Sequence, residues 1–470
     1  MSKFEIIPTV GRRRFVQGGT VGAASIAFQA LAARSALAGS PRDWRCGGYG
    51  PLSPKPDRST GLYLLALPEG FEYMSFGWTG QIMDDGRPTP TDHDGMAVVA
   101  RRGRHIALVR NHELGRGTGN QCLVDGGMYN PDEYGGTTNL VFDLVQRRFV
   151  RSWTSLGGTI RNCAGGPTPW GGWLSCEETF HAWGSRSDGF DHGYIFDVPG
   201  FGTSRGRPVR AAGRFTHEAV AVDPATCIVY QTEDEGQSAF YRYIPPTRNN
   251  ARGLVDGGRL EALVVEGTPR MDLTGGFEIG TTFRVTWQEV ADPEGRAGRP
   301  FDSAPEAAVF ARGEGCWYDS GLVYFVSTSG GAARLGQIWV YDPEQELLWL
   351  LFESTSADLV DGPDNLCVSP RGGIVMCEDG RSDPKRLVGL GPTGEIFDFA
   401  QNLIDLAPGD LERIDAVFPG TAAHFWDDPV DVYTDVEWAG ATFHGPWLFA
   451  NVQTPGVTFA ITGPWRRGPL

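Results

Sequence analysis

Short alternating runs of apolar and polar residues recur along this chain, and they come in pairs around a Gly, Pro or Asp turn. One pair runs from His217-Glu218 through Val222-Asp223-Pro224 to Thr232-Glu233-Asp234. The same layout joins Asn162-Cys163 through Thr168-Pro169-Trp170-Gly171 to Cys176-Glu177-Glu178, and Glu314-Gly315 through Tyr318-Asp319-Ser320-Gly321 to Ser327-Thr328. Two more run from Pro363-Asp364-Asn365 to Cys377-Glu378-Asp379 and from Glu437-Trp438 to Asn451-Val452-Gln453. A looser sixth copy runs from His93-Asp94 to Asn111-His112-Glu113. Cys163 and Glu177 lie 14 residues apart, Glu218 and Glu233 15, Asp364 and Glu378 14. That length fits two strands of about five residues and a short turn. In an antiparallel hairpin the two ends lie side by side opposite the turn, so each copy brings its polar ends to one edge.

Further strand-like segments fall between the hairpins: 138–143, 193–197, 240–243, 337–342, 347–352 and 387–390. Four short strands recurring every several dozen residues are the mark of a propeller blade. The pattern therefore predicts an all-β fold, a six-bladed β-propeller with inserted loops or a small cap. A two-sheet sandwich is the plainer alternative, and the repeat count argues against it. Residues 39–470 are expected to form one propeller domain, with the Gly-rich region near 251–312 as an insertion. Trp170, Trp173, Trp317 and Trp339 are expected to pack between blades.

The first 38 residues read differently. Gly11-Arg12-Arg13-Arg14-Phe15-Val16-Gln17 matches a twin-arginine export signal, followed by a small apolar stretch and Ala36-Leu37-Ala38, an A-x-A cleavage site. The expected partner is the twin-arginine export machinery, and the expected location is periplasmic or secreted. No membrane span is expected elsewhere. Removing the leader's five basic residues and one acidic residue takes the formal charge from −16 to −20. Such a chain is a poor partner for nucleic acid and a good one for cations. Eight cysteines permit disulfides, although Cys176, Cys227, Cys367 and Cys377 sit in apolar runs as small hydrophobes would.

If the hairpins are the inner strands of blades, their ends ring one mouth of the channel. That ring gathers Glu113, Cys163, Glu177, Glu178, Glu218, Glu233, Asp234, Glu314, Asp364, Glu378 and Asp379. Carboxylates a few Å apart repel by roughly 4 kcal/mol per pair at moderate dielectric unless protons or cations neutralise them. Oxygen ligands suit Ca²⁺ or Mg²⁺, whereas a thiolate at Cys163 suits iron or zinc. His112, His181 and His217 are expected to be hydrogen-bonding props more often than ligands. Arg161, Arg334, Arg381, Lys385 and Arg386 are placed to grip an anionic substrate, with Arg161 and Arg386 taken as the catalytic pair. Surface solubility is the plain alternative for each.

These segments resemble the PhoX family of exported alkaline phosphatases. The resemblance rests on Arg-Asn-His-Glu at 110–113, Asn-Cys-Ala-Gly-Gly through Cys-Glu-Glu across 162–178, and Gly-Arg-Phe-Thr-His-Glu-Ala at 213–219. Thr-Glu-Asp at 232–234, Glu-Gly-Cys-Trp-Tyr at 314–318, Pro-Asp-Asn-Leu at 363–366, Cys-Glu-Asp-Gly at 377–380 and Gln-Thr-Pro-Gly at 453–456 continue it. It implies a propeller holding ferric (Fe3+) and calcium (Ca2+) ions at its mouth, hydrolysing phosphomonoesters and to some extent diesters. Carried over, Cys163 would be an iron ligand, and Glu178, Glu218, Glu233, Asp234 and Glu378 would share the iron and calcium sites. Metal ions of this kind remove the need for a protein nucleophile. Two rivals stand beside this reading: a calcium-dependent lactonase, and a non-catalytic binding propeller stiffened by metals.

Overall fold

The computed structural model describes residues 48–180, 189–247, 254, 257–426 and 431–470. The export leader, Cys46 and His181 lie outside them. Strands β1 (Ser53–Lys55), β2 (Leu65–Leu67) and β3 (Glu72–Phe76) precede β4 (His93–Arg102), β5 (His105–His112), β6 (Gly135–Asp143) and β7 (Arg148–Thr159). Next come β8 (Asn162–Pro167), β9 (Gly172–Glu177), β10 (Ile195–Pro199), β11 (His217–Val222), β12 (Val229–Glu233), β13 (Tyr241–Ile244), β14 (Arg259–Val265) and β15 (Thr282–Glu289). The chain continues with β16 (Gly313–Asp319), β17 (Leu322–Ser327), β18 (Gln337–Asp342), β19 (Leu347–Glu353), β20 (Pro363–Val368), β21 (Ile374–Glu378), β22 (Arg386–Leu390) and β23 (Ile396–Asn402). A helix at Asp410–Val417 leads to β24 (Trp438–His444), β25 (Trp447–Val452) and β26 (Val457–Thr462).

The fold is an all-β, propeller-like array of antiparallel sheets. β4-β5-β6-β7 form one sheet, β8-β9-β10 another, and β20-β21-β22-β23 a third that β2 and β1 extend. β24-β25-β26 accept β3 as their outer strand, so the start of the described chain completes the sheet built by its end. A nine-stranded sheet runs from β11 to β16, because β15 pairs with both β14 and β19. The segment expected as an insertion thus supplies β14, the fourth strand of one group, and β15, which joins that group to the four strands β16–β19.

The six hairpins foreseen in the sequence are β4-β5, β8-β9, β11-β12, β16-β17, β20-β21 and β24-β25. Their first strands pack in a closed cycle, β4 against β8, then β11, β16, β20, β24 and back to β4. These strands are buried on both faces, β11 and β20 throughout their length. Apolar clusters fill the wedges between sheets. Phe240 stacks on Phe325 at 4.1 Å, and Trp339, fully buried, lies 5.8 Å from Phe310. Trp173 is also buried, whereas Trp170 donates from its indole to Asp197. No two of the seven described cysteines are joined in a disulfide. No helix among the described residues is long and apolar enough to cross a membrane.

Candidate metal centre

One backbone hydrogen bond recurs at the polar end of all six hairpins and aligns them. The N–H of Glu113, Glu178, Asp234, Thr328, Asp379 and Gln453 donates to the carbonyl of Asp92, Arg161, Thr216, Arg312, Gly362 and Glu437 respectively, at 2.8–3.2 Å. Two residues after each carbonyl comes an opening residue: Asp94, Cys163, Glu218, Glu314, Asp364 and, in the sixth hairpin, Ala439. In the first five hairpins this residue sits where the register shifts, directly after the first paired residue. A bulge turns such a side chain out of the regular alternation. Asp92, Arg161, Arg312 and Gly362 all carry φ between 47° and 58°. That left-handed backbone costs energy for a non-glycine residue, and three of the hairpins carry it at this mouth.

The opening and closing residues meet. Ligand atoms of Asp94, Glu113 and Cys163 lie within 4.8 Å of one another, as do those of Cys163, Glu178 and Glu218, and those of Glu218, Glu314 and Asp364. The three sets share Cys163 and Glu218, so they form one continuous cluster. Glu218 is 1% exposed, and among the described residues neither of its carboxylate oxygens meets a well-formed hydrogen-bond partner, the Cys163 thiol being the donor within reach; Oδ2 of Asp94 is in the same position. Burial, and then the neighbouring acids, push the carboxyls of Asp94, Glu178, Glu218 and Glu314 well above their ordinary range, and Asp364 to about 7. The Cys163 thiol is raised by burial and by Asp94, Glu218, Glu178 and Glu113. Asp379 and Glu437 are raised too, and they border the same cluster.

Two arginines stand at the rim. Arg161 reaches Glu113 Oε1 at 2.6 Å and also pairs with Glu178. Arg312 grips Asp234 with Nε and Nη2 at 2.8 Å each and reaches Glu314 Oε1 at 2.8 Å. Both are nearly half exposed at the side chain. Hydrogen bonds to Asp234, then the charge of Glu314, hold Arg312 above its ordinary value; Glu113 and Glu178 outweigh burial to do the same for Arg161.

Of the residues expected from sequence, Glu113, Cys163, Glu178, Glu218, Glu314 and Asp364 come together, with Asp234 and Asp379 at the margin. Glu177, Glu233 and Glu378 do not join them. Glu177 accepts from His192 Nδ1 at 2.7 Å and from the N–H groups of Ile160, Gly193 and Tyr194. Glu233 accepts from Arg299 and Tyr241, each at 2.8 Å. Glu378 takes both Nε and Nη2 of Arg386, at 2.8 and 2.6 Å, and the N–H of Asp361. Carboxylates saturated by donors have no electron pairs left that need a cation.

Arg386, expected to grip substrate, is correspondingly absorbed. Besides Glu378 it reaches Asp398 and the carbonyls of Ala357 and Asp358, and it is 9% exposed. Lys385 donates to Gly380 O and Ser382 O, while Arg334 and Arg381 are exposed. His112 and His217 are props: His112 bonds Thr91 O and Thr138 Oγ1, and His217 bonds Gly193 O and Gln231 Oε1. Sequence reasoning missed Asp94, Glu437 and Arg312 as site residues. A signal existed for each: Asp94 and Glu437 open hairpins already recognised, and Arg312 holds the position that Arg161 holds in its own hairpin.

The donor set suits cations. Among oxygens crowded by like charge, orphaned buried carboxylate atoms are satisfied only by protons or metals. A family model described as alkaline phosphatase PhoX matches residues 47–141 and 135–456. The solved structure of Pseudomonas fluorescens PhoX in complex with vanadate, a transition state analogue, is similar at TM-score 0.59 and 17% identity, covering 88% of this chain and 98% of that one. A Xanthomonas campestris gluconolactonase shows TM-score 0.41 at 12% identity over 89% of this chain and 100% of its own. No curated protein matches the sequence. Because the family model spans nearly the whole described chain, this protein belongs to the alkaline phosphatase PhoX family and is a phosphoric ester hydrolase.

Proposed function

We propose that this enzyme hydrolyses phosphomonoesters, and diesters as well, at a mixed Fe³⁺ and Ca²⁺ cluster held in the mouth of a six-bladed propeller. The single observation that carries the reading is Glu218: a fully buried carboxylate with two orphaned oxygens, at the junction of two overlapping donor sets. Cys163, Glu178 and Glu218 would hold the softer ion, since a thiolate does not suit calcium. The all-oxygen set of Glu218, Glu314 and Asp364, with Asp94, Glu113, Asp234, Asp379 and Glu437 around it, would hold the harder ones. When bound, such ions polarise phosphoryl oxygens and activate a water for attack.

The chain's own groups supply positioning and charge. Arg161 and Arg312 each hold two or more carboxylate oxygens, and the planar guanidinium fork fits a phosphoryl group equally well. With Glu113, Glu178, Asp234 and Glu314 paired to cations, Arg161 and Arg312 would be free to turn to the substrate's equatorial oxygens and to the charge that grows on them. The blade count is supported by six aligned hairpins in a closed cycle, with the nine-stranded sheet counted as two blades joined by β15. Export as a folded protein to the periplasm, or beyond it, follows from the twin-arginine leader, with residues 39–470 as the single mature domain. Elemental analysis of the purified protein, with p-nitrophenyl phosphate hydrolysis measured with and without added calcium, tests the proposal. Iron plus calcium with turnover is the expected result. A metal-free, fully folded protein would sink it.

A further inference from the structure

Arg110, on β5, lies where the first and last sheets close on one another. Its Nη1 donates to Gly77 O at 3.0 Å, just beyond β3, and to Thr458 Oγ1 at 2.7 Å on β26. The side chain is 0% exposed, and among the described residues its Nε and Nη2 meet no hydrogen-bond partner and no carboxylate within ion-pair distance. Those two nitrogens form the fork that elsewhere in this molecule takes a carboxylate, as Arg312 takes Asp234 and Arg386 takes Glu378. The groups around Arg110 offer no compensating charge. Burial keeps His93 and His112 neutral and holds the Cys122 thiol protonated. Burial also pulls Arg110 down to about 9, which leaves it cationic at neutral pH. A buried, unpaired guanidinium carries a large desolvation cost.

We propose that the free fork of Arg110 binds a small monoatomic anion of the chloride class, which clips the first sheet to the last. A water molecule would satisfy the two N–H groups but not the charge. Packing is close at the nitrogen already bonded: a Cβ placed on Gly77 would come within 3.0 Å of both Arg110 Nη1 and Leu140, so the Nε–Nη2 edge is what remains for an anion, and a fully buried edge suits the smallest ones.

The test is crystallography of the metal-loaded, full-length mature enzyme with bromide replacing chloride, using the bromine anomalous signal. A bromide peak within hydrogen-bonding reach of Arg110 Nε and Nη2 supports the assignment; water at that position, or bromide only elsewhere, overturns it. In solution, titrating chloride against methanesulfonate at constant ionic strength should raise Tm by about 2–4 °C and then saturate. Arg110→Met should abolish that rise, and an identical rise in the variant would overturn the proposal. If Arg110→Met fails to fold, the bromide map of the unaltered enzyme still decides.

Discussion

Three times in this chain two acids stand side by side at the end of a hairpin, and the two members of each pair have opposite fates. Glu177, Glu233 and Glu378 turn into the blades, where His192 donates to the first and Arg299 and Arg386 pair with the other two. Glu178, Asp234 and Asp379 turn to the mouth, where like charges outnumber cations and Glu178 is pushed well above its ordinary range. The cause is the alternation of a strand: successive side chains face opposite ways. One carboxylate therefore serves as a brace and its neighbour as part of a charged well. The comparison teaches that identical residue types at adjacent positions differ in whether their charge is answered by protein or must be answered by something bound.

Breaking the well should cost most in activity. Glu218→Gln keeps the shape but removes charge from the junction of two donor sets. Phosphatase activity should fall by about 10⁴-fold, the scale felt when one member of a set that acts as a unit is lost. Metal content measured on the same preparation should drop with it, while the melting transition remains cooperative. Breaking a brace should do the reverse. Glu378→Gln leaves Arg386 buried without its bidentate partner, which costs about 3–5 kcal/mol. Denaturant unfolding should show that loss, while kcat of the folded fraction stays within about threefold. If Glu378→Gln instead strips metal from a stable protein, the division between brace and well is wrong.

Much of this is legible in the sequence. The six hairpins, the strands between them and the gathering of polar ends follow from alternation and turn spacing, because strand pairing converts sequence spacing directly into neighbourhood. Which of two adjacent acids faces the mouth did not follow, since a single-residue register shift reverses every facing and the bulges fall where no composition cue marks them. Arg386 was misread for the same reason. It follows Lys385 near an acidic cluster in sequence, but β22 delivers it to the inward-facing Glu378. Asp94 and Glu437 were hidden by irregularity: the first hairpin has a longer span, and in the sixth the opening position is Ala439, leaving Glu437 to approach from two residues earlier.

The arginines sharpen the contrast at a smaller scale. Arg312→Met should reduce kcat/KM for a phosphomonoester by about 10²-fold, as removing one charge-stabilising donor does elsewhere. Iron and calcium content should be retained, since Arg312 is a partner of the acids and not a ligand. Arg386→Met should lower stability and leave the KM of the folded enzyme unchanged. Equal effects of the two substitutions on KM would erase the distinction drawn between rim and blade.

The smallest effect concerns pH in protein stripped of its metals. In the folded chain Asp364 holds its proton up to about pH 7, because burial and Asp379 oppose its ionisation, whereas the unfolded chain releases it near the ordinary value of 3.8. Between those limits the folded state binds more protons than the unfolded one, so unfolding is favoured as pH rises. Stability carried by this group is therefore complete below about pH 4 and is lost as pH climbs through about 7. Arg161 and Arg312 offset part of the exposed charge, so the fall should be modest, a few degrees in Tm between pH 6 and pH 8. Calorimetry of chelated protein should show that fall, and adding back iron and calcium should abolish it, because cations then replace the protons. A metal-free protein equally stable at both pH values would mean that the mouth's carboxylates were never in need of a cation, and the well would then be no different from the braces.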